Sequence, residues 1–188
     1  GYLGQMTGRV RLPESLVKPG LPGWAVAGDA AHRANLVSSI FLSEADLEAH
    51  NVRLIEKYAR IGQAEQRADT FRADDADLLI VAANTPARMA KGAVGALREE
   101  GVRAGLFRPL TLWPFPIGAL RPLLRAGTRL LVVEASFGQI EDELRLALSK
   151  EGLAVPITSL RHYGGVLPRA AEIVEAARPL AAGKGAAA

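Results

Sequence analysis

The 188-residue chain predicts an α/β fold, a three-layer α/β/α arrangement around a mostly parallel sheet of four to five strands. Three observations lead there. Short apolar runs recur at Asp77–Ala83, Val102–Phe107, Arg129–Glu134 and Val155–Leu160, segments of helical spacing separate them, and Gly, Pro and Asn mark the junctions. Near-continuous apolar strands alternating with helices suit a parallel sheet covered on both faces, with right-handed crossovers. The length fits one domain with an appended arm.

Taken in order, residues 1–42 read as an extended arm or linker from an upstream domain, because Pro13, Pro19, Gly20, Pro22 and Gly23 forbid long regular elements. Ser43-Glu44-Ala45-Asp46 opens like a capping box, and Leu47, Leu54, Tyr58 and Ile61 follow at roughly helical spacing. A connecting helix is expected from Ser43 to about Thr70, with 43–72 as its segment. Residues 73–180 form the α/β domain. Its first strand, Asp77–Ala83, leads to Thr85 and Pro86, an N-cap and first helical position, and that helix should stop at Gly101. After Val102–Phe107 comes a short helix near Pro116–Ala126, then strand Arg129–Glu134. Helix Phe137–Glu151 stops at Gly152, strand Val155–Leu160 follows, and a last helix runs from about Pro168 to Arg178. The Ala/Gly-rich 181–188 reads as a disordered tail.

Composition narrows the function. Hydrophobic residues are 49% and charged residues 23% of the chain, ordinary globular values. The pI of about 9.5 corresponds to a formal charge of only +3, and arginines are interspersed with acids, as in Arg98-Glu99-Glu100, so a nucleic-acid stripe is not supported. No apolar run is long enough to span a bilayer. With no cysteine the chain cannot form a disulfide, ligate an iron–sulfur cluster or use a Cys nucleophile. It begins Gly1-Tyr2-Leu3-Gly4-Gln5-Met6, without the features of a signal peptide, and reads as a piece of a longer cytoplasmic protein.

Common cofactor signatures are missing. Ala82-Ala83-Asn84-Thr85-Pro86 lacks the glycines of a dinucleotide fold, no P-loop is present, and no Gly-x-Ser-x-Gly elbow exists. Gly28-Asp29-Ala30 with Asn51 superficially matches a thiamine–magnesium motif, but the third glycine is absent, no apolar strand precedes it, and Asn51 falls in a predicted helix. His32, His50 and His162 have no metal-ligand spacing. His162-Tyr163-Gly164-Gly165 is first a glycine-rich turn, secondarily a contact at the sheet edge.

Two loops stand out. Arg108-Pro109-Leu110-Thr111-Leu112-Trp113-Pro114-Phe115-Pro116 is stiffened by its prolines and projects large apolar groups. Glu134-Ala135-Ser136-Phe137-Gly138-Gln139 follows a buried strand. Glu134 reads first as a helix cap or local hydrogen-bonding group and second as a contact for a partner or ligand. Trp113 and Phe115 are satellite core or interface anchors, with the interface favoured. Together with Phe137, Gly138 and Gln139 they make the candidate interface. No residue is assigned to catalysis, cofactor or metal.

These residues carry a resemblance. Asp77–Glu151, with its Trp113-Pro114-Phe115-Pro116 loop and Glu134-x-x-x-Gly138-Gln139 turn, resembles the transketolase C-terminal-like domain, or core domain II, of the alpha subunit of 2-oxoacid:ferredoxin oxidoreductases. Tyr2-Leu3-Gly4-Gln5-Met6 looks like the exit from that family's preceding domain, and Leu47–Tyr58 is similar to its connecting helix. The chain departs from the pattern at Gly28–Ser39, which is short and Ala-rich.

The resemblance implies an enzyme that oxidatively decarboxylates a 2-oxoacid to an acyl-CoA and reduces ferredoxin or flavodoxin. Thiamine diphosphate, magnesium and iron–sulfur clusters would supply the chemistry. In the family the thiamine site is built by the preceding domain and the beta subunit, so this segment would bind no cofactor itself. It would be an inactive assembly domain facing its own upstream domain and the beta, gamma or delta subunits, with no nucleic acid or membrane partner. Two alternatives stay open. One is the equivalent domain of a transketolase-like or 2-oxoacid dehydrogenase enzyme, which a neighbouring cluster subunit would distinguish. The other is a free-standing small-molecule-binding module, which ligand-induced stabilisation would reveal.

Overall fold

In a computed structural model, residues 11, 14 and 20–181 are described. They divide into two units, 1–51 and 52–188. In the first unit, residues 20–42 are irregular apart from α1 (Ala30–Arg33). The Tyr2–Met6 opening and the tail from 182 lie outside the described residues.

The long helix α2 spans Glu44–Ala64. Ser43 caps it as expected, its hydroxyl accepting from Asp46 N at 3.4 Å. The helix stops short of Thr70, and Ala68–Phe71 is instead a strand, β1. The apolar helical spacing runs out at Ile61, and Thr70 and Phe71 suit an edge strand, where β1 pairs antiparallel with β3.

The second unit is a five-stranded sheet in the order β1-β3-β2-β4-β5, parallel except for β1. The remaining strands are β2 (Leu78–Val81), β3 (Ala104–Pro109), β4 (Arg129–Glu134) and β5 (Ile157–Arg161). All of β2 is buried, as a central strand covered on both faces must be. Helix α3 (Asn84–Glu99) leads from β2 outward to β3, while α5 (Gln139–Lys150) leads from β4 outward to β5 on the opposite side. Right-handed crossovers in opposite directions must use opposite faces. Accordingly, Ala90, Val94 and Leu97 of α3 join Ile173 and Ala177 of α6 (Ala170–Ala181) in one core layer, against Leu78, Ile80, Leu131 and Val133. Leu144 and Leu148 of α5 pack with Leu120 on the other face, against Leu79, Val81, Phe107, Leu130 and Val132.

Several boundaries move for local reasons. Helix α3 begins at Asn84, whose φ is +52°, with Ala83 at the N-cap position and no side-chain cap, so Thr85 is not the cap. The expected helix over 116–126 is a single turn, α4 (Ile117–Leu120), followed by a 3₁₀ turn Arg121–Leu123, because Pro122 cannot sustain the α pattern. Helix α5 starts at Gln139 rather than Phe137, since Gly138 sits at φ +120°. The last helix runs past Pro179 to Ala181. Leu180 is buried, and Arg129 Nη1 donates to its carbonyl at 2.7 Å, holding that final turn in place.

Arg98 fastens the loop between β1 and β2 to α3. Its Nη2 donates to Asp75 Oδ1 at 2.6 Å and to Arg72 O at 2.8 Å, and its Nε donates to Ala104 O at 2.6 Å. The hydrogen bonds from Arg98 hold the Asp75 carboxyl down at about 2, below its ordinary 3.8. A carboxylate so depressed adds stability that is complete above its unfolded value and disappears as pH falls toward the folded one. Thermal melts should therefore show Asp75→Asn less stable than the parent at pH 6, with the gap closing between about pH 4 and pH 2. A gap independent of pH would show that Asp75 acts through packing alone.

Candidate functional site

The loops that follow β2, β3, β4 and β5 all leave the carboxyl edge of the parallel strands, where open α/β sheets place their contacts. Neighbouring strands β2 and β4 send their helices to opposite faces, so a crevice opens between their ends. It is a cavity of about 310 Å³ lined by residues including Asn84, Thr85, Glu134, Ser136 and Leu167.

The six candidate interface residues divide by position. Trp113 and Phe137 are exposed, at 56% and 78%, and Gln139 is exposed beside them. Phe115, Glu134 and Gly138 turn inward. Phe115 packs against Phe107, with ring centroids 6.3 Å apart, and anchors the loop from below. That loop is fixed at its base: Leu110 N donates to Arg67 O at 2.9 Å, Arg67 N donates to Thr111 Oγ1 at 3.0 Å, and Thr111 Oγ1 donates to Pro114 O at 2.9 Å. The Trp113–Pro114 peptide is cis. Trp113 presents an edge-on contact to Tyr58 of α2 at 5.6 Å.

Glu134 is 1% exposed and does what its leading sequence reading expects. Its Oε2 accepts from Ser136 Oγ at 2.5 Å and from Ile140 N at 3.2 Å, so it caps α5 from inside the sheet. Its Oε1 has no hydrogen-bond partner and lies 3.8 Å from Arg161 Nε, which also has none. Arg161 bonds instead to Glu141 through Nη2 and to Phe137 O through Nη1 at 3.3 Å. Glu141 is itself buried and also accepts from Ser159 Oγ and from Arg145 Nε, the latter at 2.7 Å. Burial pushes the Glu141 carboxyl up, but the bonds from Ser159, Arg161 and Arg145 outweigh it and hold the group below its ordinary value. Gly138 completes the cluster: a Cβ there would stand 2.9 Å from Arg161 Cζ, so the guanidinium occupies the space a side chain would need.

Arg161, Glu141 and Ser159 lay outside the sequence reading. Nothing in the local pattern distinguishes Glu141 from other acids at a helix start, where negative charge is favourable anyway. Only the β4–β5 register, with Glu134 opposite Arg161, brings them together. The turn His162–Gly165 forms as expected, with Gly164 and Gly165 both at positive φ. Tyr163 stacks on Phe137 at 4.9 Å, and His162 Nε2 lies 3.0 Å from Glu172 Oε2. Backbone and side-chain bonds from Arg169, with His162 adding to them, hold Glu172 at about 2.

Among the described residues no three His, Cys, Asp or Glu side chains stand close enough to hold a metal ion. Asp29 caps α1, its carboxylate accepting from His32 N at 3.1 Å and pairing with His32 Nδ1 at 2.8 Å, so the Gly28-Asp29 pair is committed to local structure. No described helix is long and apolar enough to cross a membrane.

Comparison with known proteins places this architecture. The family model of pyruvate:ferredoxin oxidoreductase core domain II matches residues 76–173. The ketoisovalerate oxidoreductase subunit VorB of Methanothermobacter thermautotrophicus is 39% identical over 181 residues, 95% of this chain and 50% of that subunit. The 2-oxoglutarate synthase subunit KorA of Methanothermobacter marburgensis is 38% identical over 101 residues, 54% of this chain and 26% of that subunit. The chain thus spans about half the length of the ketoisovalerate oxidoreductase subunits it matches. Among solved structures, a 2-oxoglutarate:ferredoxin oxidoreductase from Magnetococcus marinus superposes with a TM-score of 0.61 at 19% identity, covering 75% of this chain and 24% of that one. A split-gene transketolase, an inactive β4 tetramer, gives 0.53 at 20% identity over 63% of this chain and 43% of that one, which bears out the transketolase-like fold. With the family model covering more than half its length, the chain belongs to the pyruvate:ferredoxin oxidoreductase core domain II family of 2-oxoacid:ferredoxin oxidoreductase subunits.

Proposed function

We propose that this chain is the transketolase C-terminal-like part of the alpha-type subunit of a cytoplasmic 2-oxoacid:ferredoxin oxidoreductase, that the enzyme acts on a branched-chain 2-oxoacid, and that this part serves assembly. The observation that carries the reading is the 39% identity to a ketoisovalerate oxidoreductase subunit across 95% of the chain. Likeness to the 2-oxoglutarate synthase subunit of Methanothermobacter marburgensis reaches only 54% of it. The complete enzyme would take a 2-oxoacid and CoA to an acyl-CoA and CO₂, passing two electrons to ferredoxin or flavodoxin.

Thiamine diphosphate, magnesium and iron–sulfur clusters supply that chemistry in such an enzyme, and the residues here do not fit them: no cysteine exists, and Asp29 is engaged by His32. They would therefore sit in the upstream domain and the beta, gamma or delta subunits. What this chain offers is a rigid edge. Trp113 and the Phe137–Tyr163 stack stand exposed on loops held from beneath by Phe115 and Glu134, the arrangement of an aromatic contact surface.

The test is CoA-dependent reduction of a viologen dye by the full-length subunit assembled with its natural partners. Ketoisovalerate should exceed 2-oxoglutarate by about 10-fold or more in kcat/KM, the scale on which an apolar pocket separates substrates. A preference for 2-oxoglutarate would overturn the substrate class. No reduction with any 2-oxoacid by a fully loaded complex would overturn the oxidoreductase reading.

A further inference from the structure

We propose that the groove between the Trp113 loop and the first turns of α5 receives a segment of a partner subunit bearing one large apolar side chain with a lysine or arginine beside it. This rests on the assembly role proposed above and adds the chemistry of what is bound.

The groove is about 190 Å³ and is lined by Leu112, Trp113, Phe115, Gln139, Ile140 and Glu143. That volume suits one large side chain. Leu112 and Trp113 stay about half exposed although the loop carrying them is fixed by Thr111 and by Phe115 below. An aromatic wall already in position loses little freedom on binding, which is the character of an anchor pocket.

Charge selects the occupant. No lysine or arginine lines the groove. Glu143 does, and Asp142 precedes it on α5. Among the described residues neither carboxylate takes part in an ion pair, whereas Glu141 one position earlier is paired with Arg145 and Arg161. An apolar pocket edged by unpaired negative charge attracts a basic flank and repels an acidic one.

The test titrates assembly of the full-length subunit with its natural partner subunits by calorimetry, at about 50 and about 300 mM salt. Trp113→Ala should weaken binding about 30-fold or more, as loss of an anchor does. The double variant Asp142→Asn/Glu143→Gln should weaken it about 5-fold or more at low salt, with the deficit largely gone at high salt. Acids that merely steadied the start of α5 would change the melting of the free subunit and leave the salt dependence of assembly as it was. If Trp113→Ala weakens assembly while the double variant binds like the parent at both salts, the basic-flanked occupant is wrong and the assembly role stands. If both bind like the parent, this edge is not an assembly surface at all. Should circular dichroism show Trp113→Ala unfolded, Leu112→Ala takes its place, because it trims only the exposed wall.

Discussion

Gly105→Ala lowers the melting temperature of this domain by roughly 10 °C, a loss of about 3 kcal/mol. Gly105 lies within β3, in the interior of the sheet, and the loop from Arg72 to Ala76 passes directly over it. A Cβ there would stand 2.6 Å from Arg72 O, 2.7 Å from Ala73 Cα and 3.0 Å from Ala76 Cβ. Carbon atoms in contact prefer about 3.5–4.0 Å, so something must move. The strand cannot, because β3 is paired on both sides, with β1 and with β2. The loop resists as well: Arg98 holds Arg72 O and Asp75, Ala76 N donates to Ala73 O at 3.2 Å, and Ala73 and Ala76 are buried. Gly95→Ala is the matched control. It adds the same methyl within α3, where nothing lies within 4 Å, and it should leave stability unchanged or raise it by up to about 1 kcal/mol. Melting both variants by circular dichroism checks the pair; equal effects would mean that the loop gives way at Gly105.

Gly105 also shows where sequence reasoning stops. Its strand was legible, because Val102–Phe107 is apolar and bounded by Gly101. The loop crossing it was not, since that approach joins residues about thirty positions apart with no periodic signal. The same division holds across the domain. Strands β2 and β4, buried on both faces, announce themselves as apolar runs, and α3 and α5 stop beside glycines as their sequences predict. The edge strand β1 was hidden, because Ala68-Asp69-Thr70-Phe71 continues a charged helical stretch and becomes a strand only through pairing with β3. At the carboxyl edge, the Trp113 loop and the Glu134 turn were readable from their composition and position. The inward course of Phe115 and the capture of Glu141 by Arg161 were not, because each depends on a tertiary neighbour.

The largest electrostatic effect is expected at Arg161. This side chain is the cation facing both Glu134 and Glu141, whose side chains are 1% and 8% exposed, and it is itself 30% exposed. Replacing it with methionine keeps much of the aliphatic packing and removes the charge. Glu141 would retain Arg145 and Ser159, but Glu134 would be left with Ser136 and the Ile140 N–H and no counter-charge. Stranding one member of a buried pair costs about 3–5 kcal/mol, and the partial exposure of Arg161 with the surviving Arg145 contact puts Arg161→Met near the lower end, about 3 kcal/mol. Two features separate this from simple loss of packing. Adding Glu134→Gln to Arg161→Met should recover part of the stability, because it neutralises the stranded carboxylate while keeping an acceptor for Ile140 N. The pH dependence supplies the other. Glu141 is held below its ordinary 4.5, so its contribution is complete above that value and is lost as pH falls through the depressed one. The penalty for removing Arg161 should therefore be greatest near neutral pH and shrink below about 4.5 as Glu141 protonates. Urea unfolding of the parent, the single and the double variant at pH 7 and pH 4 reads all three effects. An equal penalty at both pH values, with no recovery in the double variant, would assign Arg161 a packing role rather than an electrostatic one.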